Sequence, residues 1–493
     1  MPKIILLLLF SLCSAVNSKN YHVQTRGNDA NDGLSFATGF LTIQKATNLA
    51  QAGDSILVYD GSYKGFDHFY KKSGTATLPI VYFAKGKSVI INQSCGRGGD
   101  GINIEGNDYI ELIGFKVQFI PDITGGGEDG IRVVLANHVS VRNCEVDSCY
   151  RGIFTGYTDD FLAENNICKR SFGEHGIYVS NNSDRVVIRN NICFNNRRAA
   201  GIQLNPDLSS GGPGISGDVK IYNNICYGNR IGLNLQGIYY SVIYNNLIYN
   251  NGSGGGGNGV TFFLGDAATG CNDVKFYNNT IVVPSTSQWG ILAIDSDSLQ
   301  IYNNIIVSFS VKGSLYIDKS CTNYLSDYNV LNDKMTQDDG ATYINFQQWQ
   351  KLGFDIHSIL VKDNNILFRD YSTLDFQLYD KSPARNSGSN QVSAVVKDDL
   401  LSILRPQGIA YDIGCYEFQE ITGVHKVKNK EKINYILKLN SLEILSYKNN
   451  EIYSLYNLQG IKVREGFHMD VDVLSPGIYI LSNGKNVDKI FIH

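Results

Sequence analysis

Residues 185–196 read RVVIRNNICFNN, from Arg185 to Asn196, and the chain repeats this text. An Asn-Asn pair followed by apolar residues recurs at Asn165-Asn166, Asn190-Asn191, Asn223-Asn224, Asn245-Asn246, Asn278-Asn279 and Asn303-Asn304, in steps of 25, 33, 22, 33 and 25 residues. Arg142-Asn143 is a degenerate member 23 residues before the first pair. Between the pairs runs a second motif, a glycine followed by an aliphatic residue, at Gly130, Gly152, Gly176, Gly201, Gly232, Gly259 and Gly290. Two interleaved motifs sharing one drifting period predict a solenoid with one coil per repeat.

The residue types identify the kind of solenoid. Segments such as VVIRN, VKIYN and SVIYN are short, β-branched or aromatic, and alternate apolar with polar side chains. That is a strand period, and no segment here holds helical spacing over eleven or more residues. Asn tolerates the left-handed conformation of a tight bend, and its amide can bond the equivalent amide in the next coil. Chance Asn-rich loops would not keep register over six repeats. The fold expected is an all-β, right-handed parallel β-helix.

Composition is that of an ordered chain, with 43% hydrophobic and 11% aromatic residues, and 50 glycines against 9 prolines suit many tight bends. A formal charge of −4 gives no global attraction to nucleic acid or to an anionic membrane. Residues 1–18 have a basic start, an apolar run from Ile4 to Leu12 and small residues at Ser14, Ala15 and Ser18, the pattern of a cleaved secretory signal. No later stretch is long and apolar enough to span a bilayer, so the expected mature protein is exported and soluble, and nothing calls for more than a monomer. Nine of the ten cysteines follow the signal. Cys168, Cys193 and Cys226 each lie two residues after a pair and are expected to stack inward as thiol fillers rather than form disulfides or a zinc site.

Tyr21 to Tyr63 is expected to cap the first coil, with a helical stripe at Ile43, Ala46, Leu49 and Ala50 closed by Gly53, then a strand over Ser55–Tyr59. Gly27-Asn28-Asp29, Asn31-Asp32-Gly33, Thr42-Ile43-Gln44-Lys45-Ala46, Ala52-Gly53-Asp54 and Gly61-Ser62-Tyr63 resemble the amino-terminal cap of secreted bacterial β-helix proteins. These include polysaccharide lyases of the alginate, chondroitin and pectate groups, the pectate lyase-like superfamily. The resemblance implies the fold; non-enzymes share it. Coils are expected from about 80 to 330. Ser382 to Asn390 and Tyr411 to Phe418 then resemble the closing coil of bacterial surface proteins.

Residues 419–440 read as a lysine-bearing linker, and 441–493 as a separate domain of short strands and turns. Ile452 to Gly460, Val471 to Leu481 and Lys489 to Ile492 resemble the three blocks of the carboxy-terminal sorting domain of the Bacteroidetes type IX secretion system. That implies the type IX machinery as a partner, and release or attachment at the cell surface. A small carbohydrate-binding β-sandwich is the alternative.

In a parallel β-helix the outward residues of one strand form a ladder along the axis. Counting from each repeated glycine, the +2 column reads Arg132, Phe154, Tyr178, Gln203, Asn234, Thr261 and Leu292, and the +4 column Val134, Gly156, Ser180, Asn205, Gln236, Phe263 and Ile294. Before the glycines stand Asp129, Arg151, His175, Ala200, Ile231, Asn258 and Trp289. With coils about 4.8 Å apart, Asp129, Arg151, Glu174, His175, Arg198 and Asn205 are expected to crowd together. Such a face suits a polysaccharide: amides and charges for hydroxyls and carboxylates, aromatics for ring faces.

The leading expectation is cleavage of a uronate-containing polysaccharide by β-elimination. It needs a base, His175, oriented by Glu174, and a cation, Arg198, Arg197, Arg151 or Arg132, to neutralise the sugar carboxylate. Asp129 completes the catalytic set, with Tyr178, Gln203, Asn205, Asn234 and Gln236 as substrate contacts. A hydrolase on the same scaffold would need two carboxyls, available at Asp129, Glu174 and Asp207. A non-catalytic glycan-binding or adhesin-like protein is the third alternative, since the catalytic motifs of polygalacturonase-type hydrolases and of pectate lyases are absent. Asp159-Asp160 offers oxygen ligands for calcium, though an acidic turn in solvent reads as well.

Overall fold

The computed structural model describes residues 18–419 apart from 123, 124, 197, 253, 254, 266 and 267, and then 435–437, 441–444, 453–456, 462–466, 468–470, 477–482 and 487–492. The signal (save residue 18) and most of the linker lie outside the described residues. The chain divides into two compact units, 1–418 and 419–493.

The first unit is a parallel β-solenoid. An eleven-stranded parallel sheet, here called the site sheet, takes one strand from each coil, from Phe66–Phe69 through Asp129–Val134, Arg151–Gly156, Ile177–Ser180 and Ala200–Asn205 to Met335–Thr336. The remaining walls form one continuous 23-stranded sheet. Inside, aliphatic residues of successive coils stack from Ile56 to Leu331 without exposure.

The Asn pairs make the bends. The first Asn of each pair (Asn165, Asn190, Asn223, Asn245, Asn278 and Asn303) is left-handed, with φ between 51° and 59°. The second is fully buried. Its amide Nδ2 donates to the Oδ1 of its counterpart in the next coil at 2.9–3.1 Å, from Asn166 through Asn191, Asn224, Asn246, Asn279 and Asn304 to Asn329. Cys144, in the degenerate repeat, starts the column by donating its backbone N–H to Asn166 Oδ1 at 2.9 Å. Asp355 ends it, accepting from Asn329 Nδ2 at 2.9 Å and Trp349 Nε1 at 2.8 Å. A second, shorter amide column, Asn196, Asn229 and Asn251, runs along the next bend. Cys168, Cys193 and Cys226 stack in register and are buried. All nine described cysteines are unpaired thiols.

The helix Ile43–Leu49, capped by the Thr42 hydroxyl, covers the first coil with Ile43, Ala46 and Thr47 buried, while Leu49 faces solvent. At the far end the helix Phe346–Lys351 plugs the last coil with Trp349. The segment beyond it doubles back over the outside of the solenoid. Leu367, Phe368, Phe376, Leu378 and Ile413 pack on Leu247, Val282, Ile305 and Val330. Here the outward amides of left-handed asparagines become anchors: Asn245 Nδ2 donates to Asp398 O at 2.7 Å, Asn278 Nδ2 to Asp412 O at 2.9 Å, and Asn303 exchanges bonds with the Ser389 backbone. The fully buried Arg405 holds this segment together through Glu417 at 2.8 Å.

In the second unit the described strands form two antiparallel sheets, one of Tyr435–Leu437, Ser441–Ile444 and His468–Asp470, the other of Ser454–Tyr456, Lys462–Glu465, Gly477–Ser482 and Val487–Ile492. No helix among the described residues is long and apolar enough to cross a membrane.

Candidate active-site cleft

On the site sheet the register reproduces the expected ladder. Asn103, Arg132, Phe154, Tyr178, Gln203, Asn234, Thr261 and Leu292 stand opposite one another in successive strands. Polar function is not spread evenly along it. A cavity of about 340 Å³ opens at its upstream end, lined by Arg97, Asp100, Asn103, Glu105, Glu128, Asp129, Arg132 and Arg151 among others.

Three of the expected site residues meet there. Arg151 Nε donates to Asp129 Oδ1 at 2.6 Å, its Nη2 to Gly127 O at 2.6 Å, and its Nη1 reaches Glu174 Oε2 at 3.3 Å, so one guanidinium ties two coils to the rim. It also lies 4.7 Å from the Phe154 ring centroid. Arg132 Nη1 donates to Asn103 Oδ1 at 2.8 Å and Glu105 Oε2 at 2.6 Å. Asp100, one coil before Asp129, accepts the Asp129 backbone N–H on Oδ1 at 2.8 Å.

These two aspartates are only 5% and 2% exposed. Burial lifts the Asp100 carboxyl to about 6, Glu128 adding to the rise while the Asp129 N–H, Arg132 and Arg151 oppose it. Burial likewise lifts Asp129 to about 7; the charge of Asp100 adds to this and Arg151 works against it. A carboxyl held near neutrality can donate a proton at physiological pH.

Other expectations are corrected. His175 is not placed as a base: its Nδ1 lone pair accepts the Ala200 backbone N–H at 3.0 Å, so the neutral ring carries its proton on Nε2. Burial, followed by the charge of Arg151, pushes its pKa down to about 3. Its ring edges against Tyr178, with centroids 4.9 Å apart. Glu174 pairs with Arg151 and Tyr150, and therefore does not orient the imidazole.

Arg198 is absent from this cleft. It sits on the turn before the strand Ala200–Asn205 and lines a separate pocket with Arg170, Ser171, Phe172 and Asn195. Gln203, Asn205, Asn234 and Gln236 are 1%, 3%, 9% and 1% exposed, too enclosed to meet a ligand. Gln203 and Asn234 are joined side chain to side chain, and Thr261 extends the row. Tyr178 remains half-buried between Phe154 and Gln203. Asp159 and Asp160 are both held by Arg185 at 2.9 Å, which takes up the oxygens considered for calcium.

Asp100, Asn103 and Glu105 lie one coil before Gly130, where the glycine column of the sequence reading begins. Gly101-Ile102-Asn103-Ile104, 29 residues earlier, is the same motif, with Asp100 at the position of Asp129 and Asn103 at that of Arg132. Arg97 and Glu128 belong to turns and carry no repeat signal.

Residues 80–286, under half of the chain, match the profile of a family described as periplasmic copper-binding protein (NosD). The donors for such a metal are not assembled in the described residues: the cysteines are buried core thiols, and no three His, Cys, Asp or Glu side chains are arranged to hold a metal ion. No curated protein matches the chain. Among solved structures, a pectate lyase is 15% identical, with a TM-score of 0.50, covering 82% of this chain and 98% of that one. A rhamnogalacturonan lyase is 17% identical (TM-score 0.45, covering 63% and 87%), and a surface adhesin of Streptococcus pneumoniae is 12% identical (TM-score 0.42, covering 60% and 84%). At these identities the likeness is one of fold, the pectate lyase-like parallel β-helix.

Proposed function

We propose that this is a carbohydrate-active protein that binds a polysaccharide along the site sheet and hydrolyses a glycosidic bond in the cleft between Arg97 and Arg151. The observation that carries the reading is the pair Asp100 and Asp129, two buried carboxyls lifted towards neutrality in a cavity of about 340 Å³. Asp100 is the acid. Its Oδ1 is held by a backbone N–H, which leaves Oδ2 to carry the proton to the leaving oxygen. Glu128, which lines the same cleft, supplies the second carboxyl, as base towards water or as nucleophile. Arg151 and Arg132 fix the neighbouring carboxylates and offer their remaining N–H groups to sugar hydroxyls.

Elimination is the weaker reading because its base is missing: the His175 lone pair is occupied. The cleft is also near charge balance, three guanidiniums against four carboxyls, two of them partly protonated near neutrality, so it does not select a uronate strongly. Incubation with a panel of neutral and uronate polysaccharides tests the reading. Reducing ends without the ultraviolet absorbance of an unsaturated product are expected. Asp100→Asn should cost about 10² to 10⁴ in kcat, the usual worth of a general acid. Absorbance rising with the reducing ends would replace hydrolysis by elimination, and binding without either product would make the protein a lectin-like adhesin.

For location and domain organisation, we infer export by the signal at 1–18, a solenoid with its amino-terminal cap and returning segment over 19–418, a linker over 419–440 and type IX sorting by 441–493, the small β-sheet unit being consistent with a sorting domain. Mass spectrometry of material secreted by the native host should find an amino terminus near Ala15 to Lys19 and loss of the last unit. A freely soluble product with its carboxy terminus intact counts against sorting.

A further inference from the structure

The pocket that holds Arg198 is chemically distinct from the cleft. It has a volume of about 470 Å³ and contains two guanidiniums, an amide, a hydroxyl and an aromatic ring. Phe172 is 42% exposed, so part of its ring is open to a ligand at the pocket. Arg170 uses Nε and Nη2 on Asp147 and keeps Nη1 for another partner. Arg132, Arg142, Arg151, Arg170, Arg185 and Arg189 each pair with a carboxylate. Arg198 has no carboxylate within ion-pair distance among the described residues.

The pocket lies on the same flank as the cleft, where turns enter the site sheet. Gly127 lines the cleft, and the Tyr150 ring fills the space where a Cβ on Gly127 or Gly173 would stand. Phe172 packs edge-on against Tyr150, with centroids 5.8 Å apart. Cleft and pocket are therefore two to three coils apart, about 10–15 Å along the axis at about 4.8 Å per coil. A glycan chain lying along the flank would cross Tyr150 and touch both.

We propose that the Arg170–Phe172–Arg198 pocket is an anion subsite for a glycan, taking a carboxylate or sulfate group on its guanidiniums while Phe172 stacks on the sugar face. This deepens the reading of the cleft as a glycan site: the reacting centre is near charge balance, and the substrate's negative charge is recognised outside it.

The test measures affinity of the full chain for polygalacturonate, dextran sulfate and uncharged dextran, by affinity electrophoresis at low and moderate salt. Arg198→Gln and Phe172→Ala are expected to weaken binding of the anionic chains about tenfold, with Arg198→Lys regaining part of it and all three melting like the wild type. The two anionic probes tell carboxylate from sulfate. Loss of binding in Arg198→Gln supports the subsite even if no polysaccharide is ever cleaved. Wild-type affinity for the anionic chains in both Arg198→Gln and Phe172→Ala, or equal affinity of the wild type for charged and uncharged chains, overturns it.

Discussion

Asp100 and Asp129 bind their protons more tightly in the folded chain than an ordinary aspartate does. Between pH 4 and about 6 to 7 the folded state therefore holds more protons than the unfolded state. Their contribution to stability is complete below that window and is lost as pH rises through it. Asp100→Asn keeps the acceptor for the Asp129 N–H and removes the charge. Relative to wild type it should gain on the order of 2 kcal/mol on going from pH 4 to pH 8, read from urea melts at both values. His175 works in the opposite sense. Its imidazole stays neutral in the fold down to about 3, so between pH 6.5 and 3 only the unfolded chain takes up the proton, and acid erodes stability. Gln at 175 can accept the Ala200 N–H without titrating. His175→Gln should therefore lose less stability on acidification than the wild type and should retain turnover; abolished turnover would return His175 to the chemistry.

The Asn pairs separate two physical roles in adjacent residues. Asn224 accepts from the Asn191 N–H and Nδ2 and donates to Asn246 Oδ1 and Ile188 O, all fully buried. Asn223 beside it supplies a left-handed bend with φ of 56°. Asn224→Leu strands several buried polar groups at about 1–3 kcal/mol each, so a loss of roughly 3 kcal/mol or more is expected in denaturant titration. Asn223→Gly, which fits the same dihedral, should stay within about 1 kcal/mol. Equal losses in the two variants would mean that the amide column is not what holds the coils. This level was the most legible in the sequence. Period-2 alternation and the repeated glycine place every member of the +2 column in register. Less legible was what covers that column: Gln203 and Asn234 are enclosed by neighbours that periodicity does not encode. The second amide column was hidden in the FNN that closes the 185–196 stretch, because Gly228 replaces the first Asn of its next pair. The returning segment had no repeat to announce it, and its anchors are backbone groups.

At the scale of the molecule, a stack of coils touching only its neighbours is braced over part of its length by residues 361–418. Arg405 and Glu417 pair inside that brace with their side chains buried, and removing one partner of such a pair leaves a buried charge uncompensated, at about 3–5 kcal/mol. Arg405→Met should make 380–418 the first segment of the solenoid unit cut in limited proteolysis, while the cleft, which belongs to unbraced coils, keeps its ligand affinity. Cuts appearing first near 100–200 instead would show that the brace is not what Arg405 holds. The brace also bears on how such a chain can change length over evolutionary time. Asn245, Asn278 and Asn303 meet Asp398, Asp412 and Ser389 at fixed heights. Duplicating one coil between them would shift those anchors by about 4.8 Å and leave the brace a rung short. A duplication before Tyr222 would disturb none of them. The braced half has its number of coils locked, and the half that carries the cleft and the anion pocket is free to grow or shrink by whole repeats, lengthening or shortening the run of sugar it can grasp.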